Sequence, residues 1–503
     1  MLSLSPDPSP IRLPAPFNLA AHVLSRAEAL GDKIALQVLR PTGAERWSYA
    51  RLERAVRGVA TGLADHGLAP GDRVLLRLGN GVEFPLVFLG AIAAGFVPVV
   101  CSSQLTRPEV DRIASDLAPR IAVAADGIAR PDTIPAIPAG DIRAMETLAP
   151  APYAMGDPDR PAYVVYTSGT SGAARAVLHA HRAILARAMM VEGWYGLRES
   201  DRVLHAGAMN WTYTLGTGLM DPWTAGATAL VPAAGVTPDQ IPLLLRRFDA
   251  TIFAAAPGVY RQMLKSPSIP PLPRLRHGLS AGEKLPDATR AAWTEATGTP
   301  VHEAFGMSEC STFISGAPGR PAPAGTLGYP QAGRRIAILD DAGQPVARGT
   351  EGTIAVHRSD PGLFLTYADA PQEAAARYSG DWFLTGDRAV MAEDGAITYL
   401  GRADDMLNAG GYRVAPGEVE AAFAGVPGLD ACAAIEARVR DDVRVIALVH
   451  AGTATEDALR AAAEAALARY KQPRIYLHRD AIPRTATGKT NRRALREEWE
   501  KTH

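Results

Sequence analysis

The sequence predicts an α/β protein, and three observations carry that prediction. Short β-branched segments alternate with amphipathic stretches of helical length, and helix-start signals stand between them. The chain is also long enough for several cores, with 503 residues of which 47% are hydrophobic and 21% charged. At roughly 100–200 residues per domain, about three domains fit. Basic and acidic residues nearly cancel, 52 against 53 for a net charge of −1, so no general pull toward nucleic acid or anionic membrane is expected. Three scattered cysteines, Cys101, Cys310 and Cys432, exclude a disulfide framework and offer no paired metal-ligand spacing, which fits a reducing cytoplasm.

Taken in order, Met1–Phe17 is studded with prolines and lacks a basic segment followed by an apolar run, so no signal peptide is expected. Arg73–Leu78, Val97–Val100, Ile121–Ala124 and Tyr163–Tyr166 read as strands. The apolar stretch Phe84–Val100 is interrupted by Pro85, Gly90, Gly95 and Pro98, so it reads as a buried helix followed by a buried strand and not as a membrane span. Thr106 with Glu109 forms a capping box that opens a helix toward Leu117. Proline and small residues thicken between Gly127 and Pro161, the composition of a surface connection. From Gly325 to Tyr399 short strands and glycine turns, such as Thr353–Val356 and Ile397–Leu400 with Asp394-Gly395, predict a β-rich subdomain. A last unit is cut off near Asp404, with Val443–His450 as a strand and Asp457–Tyr470 as a helix. No internal repeat is visible.

The run Tyr166-Thr167-Ser168-Gly169-Thr170-Ser171-Gly172 follows an apolar strand and precedes an expected helix. Small residues let backbone amides approach an anion, and hydroxyls donate to phosphate oxygens or ligate a metal. Two other nucleotide motifs fail. Thr487-Gly488-Lys489-Thr490 resembles the end of a Walker A loop, but Pro483 stands where its first glycine is required, and no G-x-G-x-x-G turn opens a βαβ unit.

Five collinear blocks resemble the superfamily of adenylate-forming enzymes, which includes acyl-CoA and aryl-CoA ligases, peptide-synthetase adenylation domains and luciferases. The blocks are Tyr166–Gly172, Ser280–Leu285, Phe305–Glu309, Thr385–Asp387 with Gly401–Asp405, and Pro483–Lys489. The resemblance implies a large amino-terminal domain, residues 1–403, of two stacked α/β subdomains plus the β-rich one. It implies a small mobile α+β domain over residues 404–503. The implied reaction joins a carboxylic acid to ATP as an acyl-adenylate with release of pyrophosphate, then passes the acyl group to coenzyme A. ATP, Mg2+ and coenzyme A are the expected small molecules.

By the same resemblance Lys489 is the catalytic lysine, bridging substrate carboxylate and α-phosphate; lysine is scarce here, six among 52 basic residues. Thr167, Ser168, Gly169, Thr170, Ser171 and Gly172 form the phosphate loop. Arg175 stands where a lysine is usual, flanked by Ala174 and Ala176 in place of proline and glycine, and is expected to hold β- and γ-phosphate oxygens. Glu309 with Thr170 is the implied magnesium site, and Ser308 meets the α-phosphate. Phe305 stands beside adenine, Gly282 and Glu283 form the opposite wall, and Glu303 is grouped with these nucleotide residues. Asp387 and Arg402 take the ribose. Asp404 is the implied hinge, and Gly410, Gly411 and Arg413 line the coenzyme A channel.

The acyl pocket is expected from Met209–Gly216 and the residues around Phe305–Glu309: Trp211, Tyr213, Met307 and Phe313 as lining, with Gly306 leaving the pocket open. Gly216–Ala227 resembles benzoate-type and medium-chain ligases, so a benzoate-like or branched medium-length acid is expected. Coenzyme A is favoured over a carrier protein because the chain closes soon after Lys489 without a fused carrier domain. A stand-alone enzyme loading a separate carrier and a non-catalytic nucleotide-binding protein are the alternatives. No nucleic-acid partner is expected, and a homodimer is admitted as the assembly.

Overall fold

The computed structural model describes residues 1–6, 12–167, 175–266, 268–403, 407–409, 412–439, 444–467, 469, 471–485 and 488–502, with the backbone alone at 167, 408–409 and 412–413. It divides into two compact units, one of Ser5–Arg335 and His357–Asp381, the other of Met1–Leu4, Ile336–Val356 and Trp382–His503. The boundary expected at 403/404 falls inside the second of these, which joins strands of the β-rich region to the carboxy-terminal residues.

The first unit holds two sheets. The nine-stranded sheet runs Tyr329–Pro330, Ser311–Ser315, Val301–Met307, His277–Ala281, Ile252–Ala255, Arg202–His205, Thr228–Pro232, Ile34–Arg40 and Gly43–Ser48, parallel from Val301–Met307 through Ile34–Arg40. The seven-stranded sheet runs Thr366–Tyr367, Arg175–Ala180, Pro161–Thr167, Val97–Val100, Arg73–Arg77, Ile121–Ala124 and Ala136–Pro138. Helices Tyr49–Asp65 and Glu83–Ala93 join them through one core that takes Leu36 and Val38 from the first sheet and Val74, Leu76 and Val100 from the second. Gly90 lets the two helices touch, since a Cβ there would sit 2.9 Å from Val59 Cγ1. The glycine that breaks the long apolar stretch is thus a helix-packing contact, and no described helix is long and apolar enough to cross a membrane.

Several expected elements are present as written. Val97–Val100 and Ile121–Ala124 are strands, and Thr106 closes its capping box on Glu109 at the head of helix Arg107–Leu117. Two expectations are corrected. Residues 127–161 are not a bare connection: Ala136–Pro138 adds the edge strand of the seven-stranded sheet, and Ala139–Met145 is a helix whose Ile142 and Met145 are buried. The phosphate loop precedes a strand and not a helix, because Arg175–Ala180 pairs antiparallel with Pro161–Thr167, Val165 opposite Val177. Ala176, Val177, His179 and Ala180 of that strand are buried.

In the second unit, Trp382–Met391 and Ile397–Arg402 form a hairpin beside Glu351–His357 and Ile336–Leu339. Leu429–Arg438, Arg444–Gly452 and Ile475–His478 form a three-stranded sheet carrying helices Pro416–Ala421, Glu456–Ala466 and Arg492–Thr502. Together these are the β-rich and α+β parts that the sequence predicts.

Five histidines of the first unit are held neutral by burial. His179, His277 and His302 are pushed down to about 4, and His181 and His205 to about 3, from an ordinary 6.5. Unfolding restores the ordinary value and takes up protons, so their contribution is complete above about pH 6.5 and is lost as the pH falls toward 4. The urea midpoint is expected to drop steadily between about pH 7 and about pH 5. A midpoint unchanged over that interval would contradict neutral burial.

Candidate active site

The parallel strands of the nine-stranded sheet end on one side, the edge where open α/β sheets bind ligands. Ala281 pairs with Ala304, so Gly282-Glu283, just past the end of one strand, stand beside Phe305 near the end of the next. Gly282 has φ +94, a left-handed turn that only glycine adopts without strain. The Phe305 ring meets Phe313 edge-on at 5.5 Å between centroids. Glu303, expected with the nucleotide residues, is instead 4% exposed and spends its carboxylate on the Leu285 amide at 3.0 Å and on Arg290 at 2.7 Å. It braces the turn that carries Gly282 and Glu283.

Ser308 turns its carbonyl to His179 Nε2 at 2.8 Å. Glu309 Oε1 accepts the Tyr367 hydroxyl at 2.5 Å and lies 3.2 Å from Arg377. The described residues hold no cluster of three or more metal-ligating side chains, and a lone fixed carboxylate suits Mg2+, a hard ion carried largely by phosphate and water oxygens. Arg175 is ion-paired with Glu373, its Nε 2.9 Å from Oε2. Phosphate oxygens would have to share or displace that carboxylate. Ser168, Gly169, Thr170, Ser171, Gly172, Asp404, Gly410 and Gly411 lie outside the described residues, as do the side chains of Thr167 and Arg413.

In the segment expected to line the acyl pocket, Tyr213 stacks on Trp194 at 5.6 Å, meets His205 edge-on at 4.3 Å and donates to the Leu279 carbonyl at 3.1 Å. Trp211 is half-buried in the same segment, and Phe313 is fully buried. Gly306 does not simply leave room. A Cβ there would overlap the Ser311 carbonyl oxygen and Thr312 Cα, at the bulge where Val301–Met307 pairs with Ser311–Ser315. Sequence reading missed what lies behind this wall: Arg187 on helix Ala183–Met190, buried and gripping both Asp221 oxygens at 2.6 and 2.7 Å, with Tyr195 also 2.7 Å from Asp221. Gly216 is dictated by that arginine, since a Cβ would land on its guanidinium. A lone arginine and a lone aspartate inside otherwise apolar runs were the available signal.

In the second unit, hairpin register sets Asp387 opposite Arg402. Asp387 is 6% exposed and accepts the Tyr399 hydroxyl at 3.2 Å, with Arg402 Nη1 3.5 Å away. Gly386, at φ +79, leaves room for the Arg402 guanidinium. Burial pushes the Asp387 carboxyl up, and Arg402, the hydrogen bonds from Tyr399 and Thr385, and the charge of Lys489 pull it back. Lys489 is exposed on a tight turn in which Gly488, at φ +89, donates to the Thr485 carbonyl at 2.8 Å and the Lys489 amide donates to Thr485 Oγ1 at 3.2 Å.

This chain matches the AMP-binding enzyme family over residues 24–368 and its carboxy-terminal domain over 418–489. It belongs to the AMP-binding enzymes. This AMP-binding enzyme is 30% identical to the benzoate–CoA ligase of Thauera aromatica over 98% of both chains. It is 29% identical to the mitochondrial acyl-coenzyme A synthetase ACSM2A of Homo sapiens, over 97% of this chain and 92% of that one. Its fold superposes on the anthranilate CoA ligase AuaEII, solved with anthranoyl-AMP, with a TM-score of 0.88 at 27% identity, covering 97% and 98% of the two chains.

Two measurements probe the residues expected to meet the nucleotide. If Asp387 holds the ribose as the sequence predicts, Asp387→Asn is expected to raise KM for ATP about tenfold, since hydrogen bonds to a charged group contribute ~1.5–3 kcal/mol. Glu373→Gln removes the charge that pairs with Arg175 and is expected to lower KM for ATP severalfold. An unchanged KM would mean that Arg175 does not meet the phosphates.

Proposed function

We propose that this AMP-binding enzyme is an acid–CoA ligase acting on aryl or medium-length carboxylic acids, with Lys489 delivering the charge that lets two anions react. The five collinear sequence blocks, together with similarity along nearly the whole chain to a benzoate–CoA ligase, carry this reading. At about 4 Å two like charges repel by ~1 kcal/mol in water and by ~4 kcal/mol at an effective dielectric near 20. A cation between carboxylate and α-phosphate removes that term where water is excluded.

Asp387 and Arg402 would orient the sugar, Phe305 and the Gly282-Glu283 turn the base, and Ser308 and Arg175 the phosphates. Glu309 would hold Mg2+, which supplies charge neutralisation to the phosphate chain when bound. The benzoate ligase relative and the neighbour solved with anthranoyl-AMP support an aryl acid. The relatives' names support coenzyme A over a carrier protein as acceptor, and three unpaired cysteines support a reducing compartment, the cytoplasm.

Acid-dependent ATP–pyrophosphate exchange tests the first half-reaction, and thioester formation with free coenzyme A against holo-carrier protein tests the second. Lys489→Ala is expected to slow adenylation by roughly 100- to 1,000-fold while largely sparing thioester formation from preformed acyl-adenylate. Equal loss of both steps would remove the assignment. Asp404→Pro is expected to do the reverse, impairing the thiol step and sparing adenylation, as a stiffened hinge requires.

A further inference from the structure

The first unit carries an open cleft of about 580 Å³ whose lining includes Gln37, Gly43, Arg46, Arg202, Arg247 and Asp249, none of them a residue expected to meet nucleotide, acid or coenzyme A. It lies where helix Ile241–Arg247 ends, beside the core that holds Leu39, Leu204 and Leu230 of the nine-stranded sheet. Arg202 opens its strand and Asp249 precedes Ile252–Ala255, so both stand at amino-terminal strand ends, opposite the edge that carries Gly282. The cleft has the size of a small-molecule site and not of a single ion.

Four observations point to an anionic ligand with further polar groups. First, three guanidiniums share the cleft with one carboxylate, a surplus of two positive charges, and none of the three is ion-paired with a carboxylate among the described residues. Burial lowers the pKa of Arg202, Asp249 raises it, and the charge of Arg46 lowers it again, so the repulsion between the two arginines is felt. Second, two of the guanidiniums are held in place. Arg202 donates Nε to the Phe248 carbonyl at 2.8 Å and keeps both Nη groups for a ligand, while Arg247 donates to the Pro41 and Thr42 carbonyls. Third, Gln37 is the one polar residue between Ile34 and Leu39, and register sets it opposite Arg46 on the same face. It is 4% exposed, and its Oε1 has no hydrogen-bond partner among the described residues. Fourth, a Cβ on Gly43 would meet nothing within 4 Å and its backbone is not left-handed, so neither crowding nor strain demands the glycine that keeps the cleft clear.

We propose that this cleft binds a small phosphate monoester bearing hydroxyl groups, of the sugar-phosphate kind, at a site separate from the catalytic one. A phosphate monoester carries about −1.5 to −2 charges at pH 7, which matches the surplus of two; a monocarboxylate leaves half of it, and a triphosphate exceeds it. The phosphate oxygens accept from Arg46 and from the Nη groups of Arg202, in the paired geometry that guanidiniums offer. The hydroxyls serve Gln37, whose amide turns about its last bond to present either its oxygen or its NH2 group. A bare phosphate fills little of the cleft and leaves that amide unsatisfied. The inference is independent of the ligase reading and of the acid activated.

Isothermal titration of the full chain with glucose 6-phosphate, glycerol 3-phosphate, inorganic phosphate and sulfate, each with and without saturating ATP, tests this. At least one of the two esters is expected to bind at one equivalent, about tenfold or more tighter than inorganic phosphate, and to bind equally well with ATP present. Arg46→Glu reverses an exposed charge and is expected to weaken the ester by about tenfold or more. Gln37→Leu, apolar like the rest of its strand, is expected to bring the ester down to the affinity of inorganic phosphate while leaving phosphate itself unchanged, a selectivity shift that loss of folded protein does not produce. Absence of binding by both esters, an affinity untouched in Arg46→Glu, or displacement of the ester by ATP overturns the inference. So does sulfate bound as tightly as the esters, which means an adventitious ion only. Each of these results leaves the ligase reading standing.

Discussion

The parallel register between His277–Ala281 and Val301–Met307 is the constraint on which the rest of the first unit's site depends. Pairing Ala281 with Ala304 sets the Gly282-Glu283 turn beside Phe305. The strand then continues into Ser308 and Glu309 and folds back as Ser311–Ser315. A slip of one residue would send every side chain of Val301–Met307 to the opposite face, burying what now faces the ligand edge. Glu303 guards against that slip, since its carboxylate ties the second strand to the Leu285 amide just past the first. A residue expected to touch nucleotide thus does structural work one layer back, and its burial raises its carboxyl pKa, as expected of a group taken out of water.

Buried ion pairs are the recurring device. Arg334 and Asp360, both wholly buried, meet at 2.6 Å, and Arg187 and Asp221 repeat the arrangement on the acid side. Desolvating such pairs costs about as much as their attraction returns, so they are weak evidence for stability. What they do is fix direction: a planar guanidinium satisfied on several edges holds its neighbours in one arrangement.

Much of this was legible in the sequence, and the reasons differ by element. The Thr106–Glu109 box and the strands Val97–Val100 and Ile121–Ala124 could be read because capping and β-branching are local properties. The blocks around Gly282, Asp387 and Lys489 stood out because each combines a glycine with charged or hydroxyl neighbours, and the positive φ of Gly282, Gly386 and Gly488 explains why glycine is there. What could not be read depends on pairing between distant segments. Residues 175–180 could be seen as a strand only once Pro161–Thr167 offered a partner. The Glu373 hold on Arg175 and the path from Arg187 to Ser311 join residues far apart in the chain, and no window of sequence contains both ends.

Gly306 has a consequence for how such an enzyme can change over time. Because the neighbouring strand occupies the space a side chain would need, this position cannot be enlarged to shorten the chamber without breaking the bulge. If Trp211 and Tyr213 line the chamber as the sequence predicts, drift toward smaller or larger acids would run through Trp211, whose segment pairs with no strand, and less through Tyr213, which is tied to the Leu279 carbonyl. A lineage descending from this chain, or a library built on it, would find its diversity of acids there.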